Sequence, residues 1–571
     1  SLLAVILIPV YTGSFFEWSD IPWINWLRYI ASLLLTAFLP GYFLLRIIDR
    51  KYTLTGCIVI VLSYLLSLFT IFITGFLILS SGNTISSLGP MATMVINLTL
   101  MGIYYFTSYC WKRNRDHSIT FTLNWYEHGS FSSALTVVMV GVLITMTSNF
   151  PLTPGDMQRH HGLALQFLNG FPLHGGKLVP AYPYLFHIYL AVLFSLSGFP
   201  SALAEQSLFV LSFMPLLAFY SAVKVWFNEK EDQKIPLLAV LLSVLLGFGG
   251  LYAVYLRLTR PAYNILRLLR VTVSNTYDIY MRPIYLPDIV APVFLIGLPT
   301  FFTLLYFLKK DVPDVTKATL IAILVALGYL GHIVEVFLFI LVLFIYTIFS
   351  RSDEKGMGIY VLFGLIITAL IDLVAPAQIY TSSSSTIGSI PLLSYVASLV
   401  LATLIYIIEL LKNKSVLRLA EKARKYLLKV LEISWRYGRW ALLYIYLFFF
   451  IIWLTIRDDF NLWEWGGYNF TPFFVFPLRL GAVGLLAIIT IFIYFLNIVQ
   501  DRHLRFFLLL ILTGFTLEQL ANYHPLYYSA YRYATLTFIG ACVIAAYGVV
   551  TLLKKIINSA SIKRVVATCI L

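Results

Sequence analysis

"LTGCIVIVLSYLLSLFTIFITGFLILS", residues 54–80, runs without one charged side chain. A helix needs about 20 apolar residues to cross the roughly 30 Å hydrocarbon core of a bilayer, and this stretch exceeds that length. Lipid offers no partners for backbone N–H and C=O groups, so a spanning segment is a helix or a strand of a closed barrel. Barrel strands alternate apolar and polar residues, and this stretch does not. Residues 54–80 therefore read as a transmembrane helix.

Similar runs recur outward from it at 26–47, 91–110, 133–149, 203–226, 236–256, 289–308, 333–349, 358–377, 388–411, 438–456, 471–498, 505–522 and 531–553. A shorter run lies at 317–330, and the apolar opening SLLAVILIPVY reads as part of a first helix, since it has no basic n-region or cleavage site of a signal peptide. The expected fold class is an all-α polytopic membrane protein with about 15–16 spans. Composition agrees: 60% of the 571 residues are hydrophobic, 12% are charged and mean hydropathy is +0.87. A soluble domain carries about 25% charged residues.

The net charge of +14 reports topology rather than nucleic-acid binding. Basic residues cluster at alternate loop ends: 46–51, 112–115, 224–234, 309–310, 351–355, 412–439, 501–505 and 554–555. Placing these in the cytoplasm puts most of the 40 Lys and Arg inside, with both termini cytoplasmic. The stretch 412–439 reads either as an amphipathic helix on the inner leaflet or as a solvated basic connector. Residues 184–198, YLFHIYLAVLFSLSG, are too short to span, and the charge alternation holds only if they form an interfacial or re-entrant helix. Residues 150–202 then form one long outer loop. Three regions follow: an N-terminal multi-helix unit over 1–130, a module over 131–350 with outer loops 150–202 and 257–288, and C-terminal helices over 351–571. Cys57, Cys110, Cys542 and Cys569 have no metal-ligand spacing and suggest no disulfide framework.

The outer loops hold the candidate chemistry. Asp156 follows the run at 133–149, with Arg159, His160 and His161 about one helical turn on. Pro154-Gly155-Asp156 also suits a turn and helix cap, so Asp156 is either a cap or a reacting group. Arg257, Arg260, Arg267, Arg270 and Arg282 crowd one outer loop against the positive-inside tendency. A guanidinium fork fits phosphate, and such arginines also snorkel to lipid headgroups. Asp278 and Asp288 in the same loop either pair with these arginines or supply a second acid. His332 and Glu335 share a helix face at membrane depth, where ionisable residues mark function or an interhelical pair. His160 and His161 with Asp156 are compatible with a divalent metal, but adjacent histidines point apart on a regular backbone. No cofactor is required by these residues, and no Walker or Rossmann motif supports nucleotide-driven transport.

Order along the chain adds a resemblance. Asp156 just after a membrane helix, then Gly170-Phe171-Pro172, then Tyr182-Pro183-Tyr184-Leu185 entering a short apolar helix, resembles the first outer loop of the GT-C superfamily of membrane glycosyltransferases. That group includes oligosaccharyltransferase catalytic subunits, protein mannosyltransferases and lipid A aminoarabinose transferases. "GYLGHIVEVFLF" (328–339) looks like the family's short helix pair with a polar tip, and Arg532 in "YYSAYRYATLTF" resembles its late outer-edge arginine. The chain departs from the pattern at Tyr184, where a second proline is expected, and it has no second acid next to Asp156.

The resemblance implies a sugar donor on a polyprenyl or dolichyl phosphate. The acceptor is a glycan, lipid or protein on the extracytoplasmic side of a cell membrane, and the transfer is inverting. The resemblance makes Asp156 the general base on the acceptor, or a metal holder as in the oligosaccharyltransferase branch, supported by Arg159, His160, His161, Tyr182, His332 and Glu335. Arg260, Arg267, Arg270, Arg282 or Arg532 would hold the donor phosphate. The competing expectations are a non-catalytic subunit that kept the fold and a transporter of lipid-linked glycans.

Overall fold

The computed structural model describes residues 23–112, 156–174, 177–178, 183–197, 201–206, 208, 211, 213–227, 234–245, 293–349, 356–375, 389–411, 426, 429–430, 432–448, 480–521 and 530–558. These residues are helical apart from connecting turns and a two-residue antiparallel ladder, Leu173–His174 against Lys177–Leu178. The helices are α1 (Trp23–Ile48), α2 (Cys57–Ser80), α3 (Ile85–Lys112), α4 (Asp156–Phe167), α5 (Leu185–Ser197), α6 (Ser201–Gln206), α7 (Met214–Trp226), α8 (Lys234–Leu245) and α9 (Leu298–Lys309). They continue with α10 (Asp314–Gly331), α11 (Ile333–Phe349), α12 (Met357–Val374), α13 (Ser389–Leu411), α14 (432–448), α15 (Gly481–Gln500), α16 (Arg502–Ala521) and α17 (Ala530–Asn558). Nine helices among the described residues are long and apolar enough to cross a membrane: α1, α2, α3, α10, α12, α13, α15, α16 and α17. The protein is a polytopic all-α membrane protein. The expected spans at 1–11 and 133–149 and the loop 257–288 lie outside the described residues.

Within residues 54–80 the helix is α2. Its 24 residues reach about 36 Å at about 1.5 Å per residue, enough to cross. Its serines and threonines are compatible with lipid because their hydroxyls bond back to the preceding turn: Ser63 to Val59 O, Thr70 to Leu66 O and Thr74 to Thr70 O. Beside it, α1 passes through a π-helical turn at Leu34–Phe38 just ahead of Pro40. Proline has no N–H to continue the α ladder, so the break falls there. Gly41 follows, and the two helices nearly touch at it. A Cβ on Gly41 would lie 1.9 Å from the Ser63 carbonyl oxygen and 2.4 Å from the Ser67 nitrogen. The Gly41 N–H donates to Ser67 Oγ at 2.8 Å.

One expected span divides. Residues 203–226 contain α6 and then α7, which starts at Met214-Pro215. Pro215 fits the first turn of a helix, where its missing N–H costs nothing, and would break a continuous one. Proline likewise opens α9 at Pro299, after a π-helical turn at Val293–Gly297.

The chain forms two compact units that interleave in sequence. The first comprises Ser1–Gly129, Met139–Ala222 and Asp288–Glu409, and the second Ser130–Val138, Val223–Pro287 and Leu410–Leu571. At the heart of the first is α5. Its 13 residues reach only about 20 Å, short of a bilayer core. All but Phe194 and Ser195 are buried. Gly75 of α2 admits Ile188, and Gly89 of α3 faces Ser195. The Arg28 Nε of α1 donates to Leu196 O at 2.8 Å, placing a cation at the C-terminal, negative end of the α5 dipole.

In the second unit α16 and α17 run tightly together. A Cβ on Gly514 would meet the Thr537 nitrogen at 2.7 Å, and one on Gly540 would meet the Phe507 carbonyl at 2.6 Å. Small residues at such contacts let backbones approach where lipid provides no hydrophobic drive. Trp226 stacks on Phe506 at 4.2 Å, and Trp435 of α14 stacks on Phe495 of α15 at 4.1 Å. The basic stretch 412–439 thus runs, in its described last part, into a helix that continues to residue 448. On that helix Trp440, Leu442, Tyr444, Ile445 and Phe448 are exposed.

Candidate active site

Asp156 is the first residue of α4, and Arg159 lies one turn later. Their side chains lie outside the described atoms. The C-terminal end of α4 is fixed by backbone and side-chain bonds to the start of α3: the Ser86 N–H donates to Leu168 O at 3.0 Å, and Ser86 Oγ to Asn169 Oδ1 at 3.3 Å. Gly170 follows with φ of 156°, a backbone that favours glycine, and turns the chain towards Pro172. Phe171 then packs edge-on against Phe167 and Phe76. Tyr184 lies against Phe76 with rings nearly parallel, centroids 6.2 Å apart. These aromatic contacts hold the two ends of the α4–α5 connection to α2.

The histidines that follow Asp156 go to different partners. His160 is buried, and its Nδ1 shares a hydrogen bond with Nε2 of His187 on α5, 2.9 Å, with the rings stacked. His161 faces α6. Its Nδ1 lies 2.6 Å from Glu205 Oε2, and its Nε2 lies 3.1 Å from Ser201 Oγ. An ionised carboxylate only accepts, so Nδ1 carries the proton and Nε2 is left to accept from the Ser201 hydroxyl. α6 is fixed in turn by α1, where the Tyr29 hydroxyl donates to Ala204 O at 3.4 Å.

The Glu205 side chain has no solvent exposure, and that of His161 has 15%. Burial pushes the Glu205 carboxyl above its ordinary range, and the hydrogen bond from His161 opposes this without cancelling it. The other Glu205 oxygen, Oε1, is buried with no hydrogen-bond partner among the described residues.

His332 and Glu335 form a second pair, in which both residues are buried. His332 is the one extended residue between α10 and α11, and its Nδ1 donates to Glu335 Oε2. The Glu335 side chain lies directly over Gly297, where an added Cβ would sit 2.5 Å from Oε2. Asp372 of α12 is fully buried within electrostatic reach of the Tyr184 and Tyr395 hydroxyls.

Among the expected site residues, then, His160, His161, His332 and Glu335 have described partners. Arg532 lies in the first turn of α17, with its side chain outside the described atoms. Tyr182, Arg260, Arg267, Arg270, Arg282, Asp278 and Asp288 lie outside the described residues. Sequence reading passed over His187, Ser201, Glu205 and Asp372. The signal was present: each of His187, Glu205 and Asp372 is an ionisable side chain inside an apolar run, the pattern that singled out His332 and Glu335. Among the described residues no three His, Cys, Asp or Glu side chains converge as a metal-ligand set. Compared with known proteins, the chain matches no family model, no curated protein and no solved structure.

Proposed function

We propose that this protein is a membrane glycosyltransferase of GT-C type. In this reading it moves a sugar from a polyprenyl- or dolichyl-phosphate donor to an extracytoplasmic acceptor with inversion, and Asp156 is the general base. The observation that carries the reading is the place of Asp156: it opens a helix that leans along the short buried helix α5, within one unit of membrane helices.

The surroundings of α4 and α5 support it. They include Arg28 near the start of α1, Phe72 to Phe76 near the end of α2, and Ser86 and Gly89 at the start of α3. Basic clustering assigns all of these to the extracytoplasmic side. A lipid-borne sugar phosphate would present its headgroup there.

The chemistry asks for two things. Attack at the anomeric carbon needs a base on the acceptor face, and the departing phosphate needs cationic donors in place of a general acid. Asp156 is the residue proposed for the first requirement.

The test is transfer from a polyprenyl-phosphate sugar in proteoliposomes holding the full chain. Asp156→Asn should lower the rate by at least about 100-fold, the usual scale for losing a general base, with an unchanged melting midpoint. Retained transfer in that variant sinks the assignment of Asp156. Donor lipid that crosses the bilayer without any sugar transfer identifies a transporter instead.

A further inference from the structure

We propose that Ser201, His161 and Glu205 form a nucleophile–base–acid relay. It would activate the Ser201 hydroxyl towards ester carbonyls and give the protein an acyl-transfer activity separate from sugar transfer.

The connectivity is the one such chemistry requires. The carboxylate holds Nδ1 of the imidazole at 2.6 Å, which fixes the tautomer, and the opposite nitrogen faces the serine oxygen at 3.1 Å. Both distances lie within hydrogen-bond reach, and no rearrangement is needed to align them. Exposure is graded to match. The acid is fully covered and the imidazole slightly open, while Ser201 is intermediate at the head of α6. The three groups come from two elements 40 residues apart. The α6 side is held by the Tyr29 bond to Ala204 O. The Phe194 ring lies 5.4 Å from the His161 ring and gives the site an apolar wall, so the acyl group it suits is a hydrocarbon chain.

In the step, Ser201 Oγ bonds to the ester carbonyl carbon as its proton passes to His161 Nε2. The C–O bond to the alcohol then breaks, and the alcohol leaves with that proton. Water reverses the sequence and releases the acid. Glu205 acts as a positioning residue: it never touches the ester and keeps His161 in the tautomer that can take the proton.

An alkyl fluorophosphonate tests this on the full-length protein in liposomes, with peptide mapping of the adduct. The expected result is one adduct on Ser201 of the folded wild type. Ser201→Ala should abolish it, and His161→Gln should slow it by about 100-fold or more. Glu205→Gln, which retains the size of the side chain, should also slow it. The wild-type adduct needs no variant to fold, and melting curves show which variants do. An unlabelled Ser201 in folded wild type overturns the proposal. So does a labelling rate that folded His161→Gln leaves unchanged, which would make the triad a structural tie between α4 and α6. Sugar transfer by Asp156 stands or falls separately, because neither outcome depends on that residue.

Discussion

Among the described residues of the first unit two histidine–glutamate pairs occur, and they are built on different scales. His332 and Glu335 are three residues apart, at one helix junction. His161 and Glu205 are 44 residues apart, and their bond joins α4 to α6. The first pair is a local event: the chain that places one partner places the other. The second exists only because α4 is pinned to α3 and α6 to α1, so it carries information about tertiary structure. A pair of the second kind should cost more to break and should be harder to read from sequence.

A buried donor left without its acceptor typically costs about 1–3 kcal/mol. Glu205→Ala should fall at the upper end of that range, because it strands the His161 N–H and also releases α6 from α4. Glu335→Ala should fall at the lower end. Melting midpoints of both variants in the same detergent give the ranking. If Glu335→Ala is the more damaging, sequence separation does not govern the cost, and the junction at His332 outweighs the long-range tie.

The same contrast explains what was legible. The run at 54–80 could be read because a lipid-spanning helix needs only composition and length, and α2 follows it closely. His332 and Glu335 could be paired because spacing on a helix is set by local geometry. Glu205 could not, because it lay inside a run, 203–226, that averaged as apolar enough to span. Hydropathy averages over Pro215, whereas the backbone does not: the chain stops at α6 and restarts as α7. Once the run is divided, Glu205 is no longer a stray charge in a span but a side chain beneath His161. Asp156 was legible by position alone, and nothing in composition separates a reacting carboxylate from a helix cap.

Gly297 sharpens the local side of the comparison. A methyl there would lie 2.5 Å from Glu335 Oε2 and 2.8 Å from Cδ, too close for either to stay. Gly297→Ala should therefore cost about 1–3 kcal/mol as overpacking, largely by displacing Glu335 from His332. In a Glu335→Ala background most of that cost should vanish, since the clashing atoms are gone. A double-mutant cycle reads this as a coupling. Additive effects would mean that Gly297 matters for the π-helical turn it ends and not for the pair.

The smallest effect expected concerns protons at the long-range pair. Burial raises the Glu205 carboxyl, so the folded protein holds that proton more tightly than the unfolded chain does. The resulting contribution to stability is complete below the unfolded-state value, about 4.3, and is lost as pH rises through the higher folded-state value. Melting midpoints of the wild type should therefore carry a component that declines over that window. Glu205→Gln, which cannot titrate, should remove it and leave a flatter profile. A decline of the same size in Glu205→Gln would place the proton elsewhere. A midpoint that falls on acidification in the wild type alone would mean that the bond from His161 outweighs burial and holds the carboxylate ionised.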